Sequence, residues 1–473
     1  MKQLRRSMRI VALMLVLMIL LPVIYGGYSL IRYGTRWRTS EYNVYLRSLK
    51  NEVTAGDILD RNGVQLATTL VSVDTDGEII RQRRYAMDPA VRSAVVHVVG
   101  DTRGNVKNAA ESFLAEYLYG ANMTYPERLS QLSGNGLLRG DNVQLTIDSM
   151  LCAYIGSIFP AGHSGAAVVM NYKTGELYAE MSFPSYDPQT ANAVSVYQAL
   201  NRATRWLSAP GSTYKIVTLA SALQNMPDVT NRTFTCTGGI VFGEHERNVM
   251  DYGGTAHGNA SLKTAFAQSC NSTFAILASE LGDKAMRKTA EGFGLGDDFT
   301  FRDLVVENSA YANSAVTLMG ADLAWTGAGQ NELAVTPLHM CMIASAVANG
   351  GVMMEPRLLL SAESFSGIER TAFEPIVYRT AMDSQTAATI REYMRSVVTN
   401  GTGRSAAVEG LAICGKTGTA EIDTQEKDNA WFVGFIADDR YPFAVCIAVE
   451  ESGTGGSVAA PIAQKIFRYL SGR

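Results

Sequence analysis

Basic runs are missing from this sequence after its first ten residues, and the formal net charge is −4. A nucleic-acid partner is therefore not expected. Histidine is scarce. The five (His97, His163, His245, His257 and His339) show no metal-ligand spacing and none lies in a C-x-x-C context, so neither a metal site nor a cofactor is expected. Cysteine is thin as well. Cys152, Cys236, Cys270, Cys341, Cys414 and Cys446 are too dispersed for a small disulfide scaffold, and buried free thiols are the expectation. Low-complexity tracts and fixed-period repeats are absent, which excludes solenoids and compositionally disordered tails. Against these absences, 47% of the 473 residues are hydrophobic and 18% charged, enough for a sizeable core. At roughly 150 residues per domain, two or three domains are expected.

Charge is missing from one long stretch in particular. Lys2, Arg5, Arg6 and Arg9 precede an uncharged apolar run from Ile10 to Ile31. At about 1.5 Å per residue that run crosses a bilayer core of roughly 30 Å. It is longer than the roughly 7–15 apolar residues of a cleaved signal peptide, and no A-x-A-like site follows. The positive flank puts residues 1–9 on the cytoplasmic side and everything after Arg32 outside the membrane. A single-pass signal anchor is expected over residues 10–31.

The next segment, Thr35 to Lys50, is polar and aromatic and reads as helical or extended. Strand-like patterning begins near Glu52, with an Asn-Gly turn in Asp60-Arg61-Asn62-Gly63. Ala109, Phe113, Leu114 and Tyr117 place a helix over 105–119. Residues 120–140, rich in Gly, Ser and Asn, read as a linker. The expected division is a small mixed N-terminal domain over 32–145 and a catalytic unit over 146–473. In that unit, 166–171 and 176–182 form a hairpin across Tyr172-Lys173-Thr174-Gly175, and helical patterns dominate 210–400. Strand-like runs follow at 411–421, 430–437 and 443–449, before a closing helix over 459–470. Strands at both ends with helices between them imply an α+β fold, the early hairpin and late strands sharing one antiparallel sheet.

Three short motifs carry chemistry. Pro210-Gly211-Ser212-Thr213-Tyr214-Lys215 leads into a nearly all-apolar helix. Ser212 and Lys215, at i and i+3, share a helix face. A serine hydroxyl needs a base to take its proton, and a lysine becomes one when burial disfavours its charged form. The helix N-terminus adds positive potential for a developing oxyanion. Alone, S-x-x-K is weak, since it arises about once by chance in a chain of this length. Ser269-Cys270-Asn271 falls between two helical runs and offers a hydroxyl and a carboxamide to a cleft, although S-x-N equally suits a helix cap. Lys416-Thr417-Gly418-Thr419 lies inside a strand beside Gly415, where glycines mark close approach by a ligand. Its lysine supplies charge, its threonine hydroxyls a carboxylate site, and its backbone an edge for a peptide. Two look-alikes are set aside: Lys173-Thr174-Gly175 as a solvent-facing hairpin tip, and Ser133-Gly134-Asn135 in the linker.

In this order, with steps of 57 (269 − 212) and 147 (416 − 269) residues, the motifs resemble those of the penicillin-recognising serine acyl-transferase superfamily. The likeness extends along the chain. GDILDRNGVQLA (56–67), DNVQLTID (141–148), GAAVVMNYKTGELYAEMSFPSYDP (165–188), LNRAT (200–204), AVTPLHM (334–340), ANGG (348–351), GTG (401–403), GKTGTAE (415–421) and AWFVGF (430–435) are similar to boxes of class B penicillin-binding proteins, most of all the smaller ones. Ala55 stands where that family often has arginine, and Cys152 and His339 where glutamine is common; these touch packing more than chemistry. Cys270 is expected to be inert.

The resemblance implies the penicillin-binding transpeptidase fold: an antiparallel sheet flanked by helices, with an all-helical subdomain, behind a transmembrane helix and a small mixed domain. The activity it implies is peptidoglycan D,D-transpeptidation, with no cofactor. Ser212 would attack the penultimate D-alanine of a stem pentapeptide, and the acyl-enzyme would pass to an amino group on a neighbouring stem. On the same ground Lys215 is the base, Ser269 relays the proton, Asn271 bonds the substrate amide and Lys416 sets local charge. Thr417 and Thr419, on either side of Gly418, hold the terminal carboxylate, and the N–H groups of Ser212 and Thr419 form the oxyanion hole. The implied partners are stem peptides, β-lactams as inhibitors, and a separate SEDS-type glycosyltransferase, because about 115 residues between anchor and catalytic unit leave no room for one. A D,D-carboxypeptidase or β-lactamase fits the anchor and the N-terminal boxes less well. A β-lactam sensor or inactive scaffold fits less well again, with only about nine residues before the anchor and all three motifs intact.

Overall fold

A computed structural model describes residues 2–38, 44–242, 248–421 and 427–472. The N-terminal run folds as one helix, Lys2–Arg38, and its stretch from Arg5 to Ile31 is long and apolar enough to cross a membrane. Leu13, Ile19 and Ile24 are exposed on it, as on a helix solvated by lipid. The segment read as helical or extended comprises the end of this helix, residues 39–43 outside the described set, and a second helix, Val44–Glu52.

The turn at 60–63 forms as expected. Gly63 takes φ +80°, and the Asp60 carboxylate accepts the N–H groups of Asn62 and Val64. It joins Ile58–Leu59 to Gln65–Val73, which pairs with Ile79–Tyr85. On its other side Ile58–Leu59 runs parallel to Asn142–Leu145, which pairs with Leu359–Glu363 and through it with Glu369–Ala372. This six-stranded sheet therefore draws two strands from far beyond residue 146, across the division expected there.

Two local expectations fail for identifiable reasons. Residues 105–109 are not helical, because Asp101 accepts the N–H groups of Arg103 and Asn105, and Asn108 adopts φ +62°. Only Ala110–Phe113 and Ala115–Leu118 are helical there. The expected linker holds a helix, Tyr125–Asn135, started by a capping box in which Thr124 and Glu127 bond reciprocally. The look-alike Ser133-Gly134-Asn135 is simply its last turn.

The second sheet has five antiparallel strands in the order Ile413–Ala420, Asn429–Ile436, Phe443–Val449, Gly165–Asn171 and Leu177–Phe183. The early hairpin and the late strands do share it. Helices cover both faces, so its central strands are buried runs rather than alternating ones. Successive residues point to opposite sides. Phe432 meets Phe467 of the closing helix Ala460–Ser471, while Cys446, paired with Val433, lies beside Cys341 of the helix Pro337–Ala348. All six cysteines are buried and free. Helices Lys215–Asn225, Leu262–Ala267, Asn271–Gly292, Gly320–Ala328 and Ser384–Asn400 gather beside the Ile413–Ala420 edge. The helical subdomain also carries two short antiparallel pairs, Thr233–Cys236 with Gly258–Ser261 and Gly239–Ile240 with Val249–Met250.

Candidate active site

All three motifs converge on one cleft of about 390 Å³ between that sheet edge and the helical cluster. Ser212 lies on a 3-10 turn, Gly211–Tyr214, that runs into the helix Lys215–Asn225. Gly211 has φ +54°, and a Cβ there would sit 2.5 Å from the carbonyl oxygen of Thr419. Only glycine lets the nucleophile turn come this close to the edge strand. From the strand's side, a Cβ at Gly418 would meet the Pro210 oxygen at 2.7 Å, and one at Gly415 the Phe432 ring at 2.4 Å. These strand glycines, read from sequence as room for a ligand, make room for the protein itself.

Ser269-Cys270-Asn271 is the expected interhelical turn, between Leu262–Ala267 and Asn271–Gly292. Ser269 has φ +63°, a left-handed conformation that functional sites hold at a cost of about 1–3 kcal/mol. Its hydroxyl lines the cleft with those of Ser212, Thr417 and Thr419.

Behind the cleft lie two fully buried lysines. Lys215 Nζ donates to Asn271 Oδ1 and to the Ser269 carbonyl, both at 2.6 Å, and stands 3.4 Å from Ser269 Oγ. Lys416 Nζ donates to Ser269 Oγ at 2.8 Å and to the Thr417 carbonyl at 2.9 Å. Desolvation lowers the Lys215 ammonium to about 8, partly offset by the nearby Cys270 and Asp251. Lys416 is pushed well below its ordinary value, by burial first and then by the like charge of Lys215. Ser269 Oγ thus sits between two amines that release protons readily. Among the described residues the Ser212 hydroxyl makes no hydrogen bond. The shared face read from i,i+3 spacing does not become a direct Ser212–Lys215 contact in this resting state, and such contacts commonly tighten only with substrate bound.

Other groups complete the cleft. Thr402 Oγ1 bonds Thr417 Oγ1 at 2.5 Å, and its N–H reaches the Ala267 carbonyl. Gln330 Nε2 points to the Thr419 carbonyl at 3.5 Å. Thr402 lies in the Gly401-Thr402-Gly403 box, whose two glycines were the signal, and Glu421 closes the GKTGTAE box; Gln330 carried no signal. The look-alike Lys173 lies at its hairpin tip, paired with Asp439.

Of the histidines, His97 and His339 are buried, bond the Gln198 and Phe293 carbonyls, and are pushed by desolvation down to about 4. His245 lies outside the described residues. His257 is different. It joins Cys236, Asp251 and Cys270 in a set able to hold a metal ion, which their dispersed positions did not suggest.

Residues 165–468 match the family model described as the penicillin binding protein transpeptidase domain. The chain is 29% identical over 426 residues to the peptidoglycan D,D-transpeptidase PbpA of Mycolicibacterium smegmatis, across 83% of this chain and 84% of that protein. It is 32% identical over 320 residues to stage V sporulation protein D of Bacillus subtilis, across 64% of this chain and 48% of that one. The solved ceftriaxone acyl-enzyme of penicillin-binding protein A from M. tuberculosis is similar at TM-score 0.80 and 27% identity, covering 90% of this chain and 99% of that one.

Proposed function

The chain belongs to the penicillin-binding protein transpeptidase family, and on that premise we propose that it is a membrane-anchored peptidoglycan D,D-transpeptidase acting through a Ser212 acyl-enzyme. The observation that carries this reading is the convergence of Ser212, Ser269, Asn271, Thr417 and Thr419 on one cleft backed by two buried amines. Ser212 Oγ attacks the carbonyl carbon of the penultimate D-alanine. Its proton goes to Lys215, which, lowered to about 8, is neutral in roughly a tenth of molecules at pH 7. The N–H groups of Ser212 and Thr419 stabilise the oxyanion. Ser269, held by Lys416, passes its proton to the departing amine as the C–N bond breaks and D-alanine leaves, and takes from Lys215 the proton that Ser212 gave up. An amine from a neighbouring stem then attacks the ester, forms the cross-link and restores Ser212.

Asn271 has little freedom in this scheme. Its Oδ1 is taken by Lys215 and its Nδ2 donates to the Met250 carbonyl, which leaves one N–H for the substrate amide. The hydroxyls of Thr417 and Thr419 take the terminal carboxylate, while Gly418 serves packing. β-Lactams trap Ser212 as an ester that hydrolyses slowly. Residues 1–9 lie in the cytoplasm, 10–31 span the membrane, 32–145 form a pedestal and 146–473 work outside the cell. A SEDS-type glycosyltransferase supplies the glycan strand.

Labelling with a fluorescent penicillin tests the nucleophile. Wild type labels and Ser212→Ala does not; equal labelling of both refutes the assignment. Turnover of the bound penicillin within seconds would instead identify a hydrolase.

A further inference from the structure

A second cavity, of about 400 Å³, opens in the N-terminal part of the chain among Lys50, Arg81, Arg83, Arg103, Asp101 and Glu111. Four cations there meet two carboxylates, and both carboxylates are already engaged. Asp101 accepts the N–H groups of Arg103 and Asn105, the Asn105 amide and the Tyr186 hydroxyl. Glu111 takes Arg83 Nε at 2.7 Å. Arg81 and Arg83 alternate on the strand Ile79–Tyr85, so they share one face of the sheet. The Arg83 side chain is 5% exposed, and its Nη1 donates to the Gly56 carbonyl and, across the strand pair, to Thr69 Oγ1. Its Nη2 is buried with no hydrogen-bond partner. An unpaired buried donor is unfavourable, and an acceptor oxygen brought against it from the cavity removes that cost. The other three cations are held in place by neutral groups. Arg81 donates to the Asn51 and Glu52 carbonyls that end the helix Val44–Glu52, and Arg103 Nη1 to the carbonyls of Ala191 and Asn192. Lys50 Nζ stands 5.4 Å from the centre of the Tyr119 ring. Among the described residues no carboxylate forms an ion pair with any of these three.

We propose that this cavity binds a phosphate or diphosphate group. The donors choose the anion. Guanidinium forks match phosphate oxygens in planar pairs, and the lysine adds a point charge. A diphosphate presents more acceptor oxygens than a carboxylate, so it can answer cations that approach from three segments at once. Ala55 lines the wall, and its short side chain leaves the space free. Occupancy ties the helix Val44–Glu52, the strand Ile79–Tyr85 and the loop at 101–104 to one ligand, and so fixes how the helix that follows the membrane anchor sits on the sheet. Lys50 follows the membrane-spanning run by only 19 residues (50 − 31). With 32–38 and 44–50 helical, the chain reaches at most about 40 Å from the bilayer to this point. A lipid head group and a soluble phosphate carry the same chemistry here, and the test separates them. The cavity shares no lining residue with the Ser212 cleft, so the proposal stands or falls apart from the transpeptidase reading.

The full-length chain in detergent is titrated with inorganic pyrophosphate by calorimetry. Saturable binding is expected, weaker as salt screens the charges. Lys50→Ala and Arg103→Ala each remove one charged contact at the rim and should weaken it about 10-fold or more. Arg440→Ala, which removes an exposed arginine paired with Asp438, leaves it unchanged. Acylation by a fluorescent penicillin at the wild-type rate shows that each variant is folded. Short-chain phosphatidate is then added to the pyrophosphate complex. Displacement identifies a lipid head group as an acceptable source, and its failure identifies a soluble phosphate. Wild type that binds neither pyrophosphate nor phosphatidate at low salt overturns the proposal. So does pyrophosphate affinity that is the same in Lys50→Ala and Arg103→Ala as in wild type.

Discussion

Adding one methyl group at Gly211 should disable the enzyme more than it unfolds it. An alanine Cβ there would lie 2.5 Å from the Thr419 oxygen and 2.8 Å from its carbonyl carbon, both backbone atoms. Comfortable contact needs about 3.5 Å, so something must move by roughly 1 Å. The strand cannot yield easily, because Thr419 pairs with Ala430 inside the sheet. Nor can the turn retreat freely, since a Cβ at Gly329 would already be 1.8 Å from the Gly211 oxygen, so the two backbones are in contact. The displacement therefore falls on Ser212, and a shift of about 1 Å at a reacting group costs on the order of 100-fold in rate. Left-handed backbone adds about 1–2 kcal/mol against alanine, a modest loss of stability. The assay is the second-order rate of acylation by a fluorescent penicillin, alongside thermal unfolding. For Gly211→Ala we expect acylation slowed about 100-fold and a melting temperature lower by a few degrees. Acylation within about threefold of wild type would refute the close-approach argument.

The rate of acylation should rise with pH, with half-rise near 8, because the neutral Lys215 amine is the active form. The groups facing it are Lys416, Ser269 and Asn271, with Asp251 and Cys270 beyond; a rate that is flat from about pH 6 to 9 would exclude Lys215 as base. Far from the cleft, Arg357 and Asp303 are each 3% exposed and 2.7 Å apart, and Asp303 also accepts the N–H groups of Leu358 and Leu359. Asp303→Asn leaves a buried guanidinium uncompensated and should lower the unfolding free energy by about 3–5 kcal/mol, read from a denaturant midpoint, while acylation of the folded fraction is unchanged.

What could be read from the residues alone depended on how local the cause was. The S-x-x-K helix, the S-x-N turn and the late strands announce themselves through contiguous apolar runs and turn residues, and the structure brings Ser212, Ser269 and Thr417 together as their order implied. The capping box at Thr124 was equally local but lay hidden in a Gly- and Ser-rich stretch. The metal-ligand set was not legible at all. Its members are spaced 15 (251 − 236), 6 (257 − 251) and 13 (270 − 257) residues apart, and only the packing of two small strand pairs against the turn unites them. The burial of Lys215 was read from its apolar helix, but a second buried amine, Lys416, meeting it at Ser269 was invisible, because that pairing is a property of the assembled fold.

The six-stranded sheet has a consequence for how the protein is made. Asn142–Leu145 lacks its outer neighbour until Leu359–Glu363 has been synthesised, 214 residues later (359 − 145). At about 5–20 residues per second that is a wait of roughly 10–40 seconds. Throughout it, a half-built sheet near the membrane presents an open edge to whatever strand comes by. The yield of active enzyme thus depends on how well that interval is guarded, and a chain ending before residue 359 lacks the strand that covers this edge.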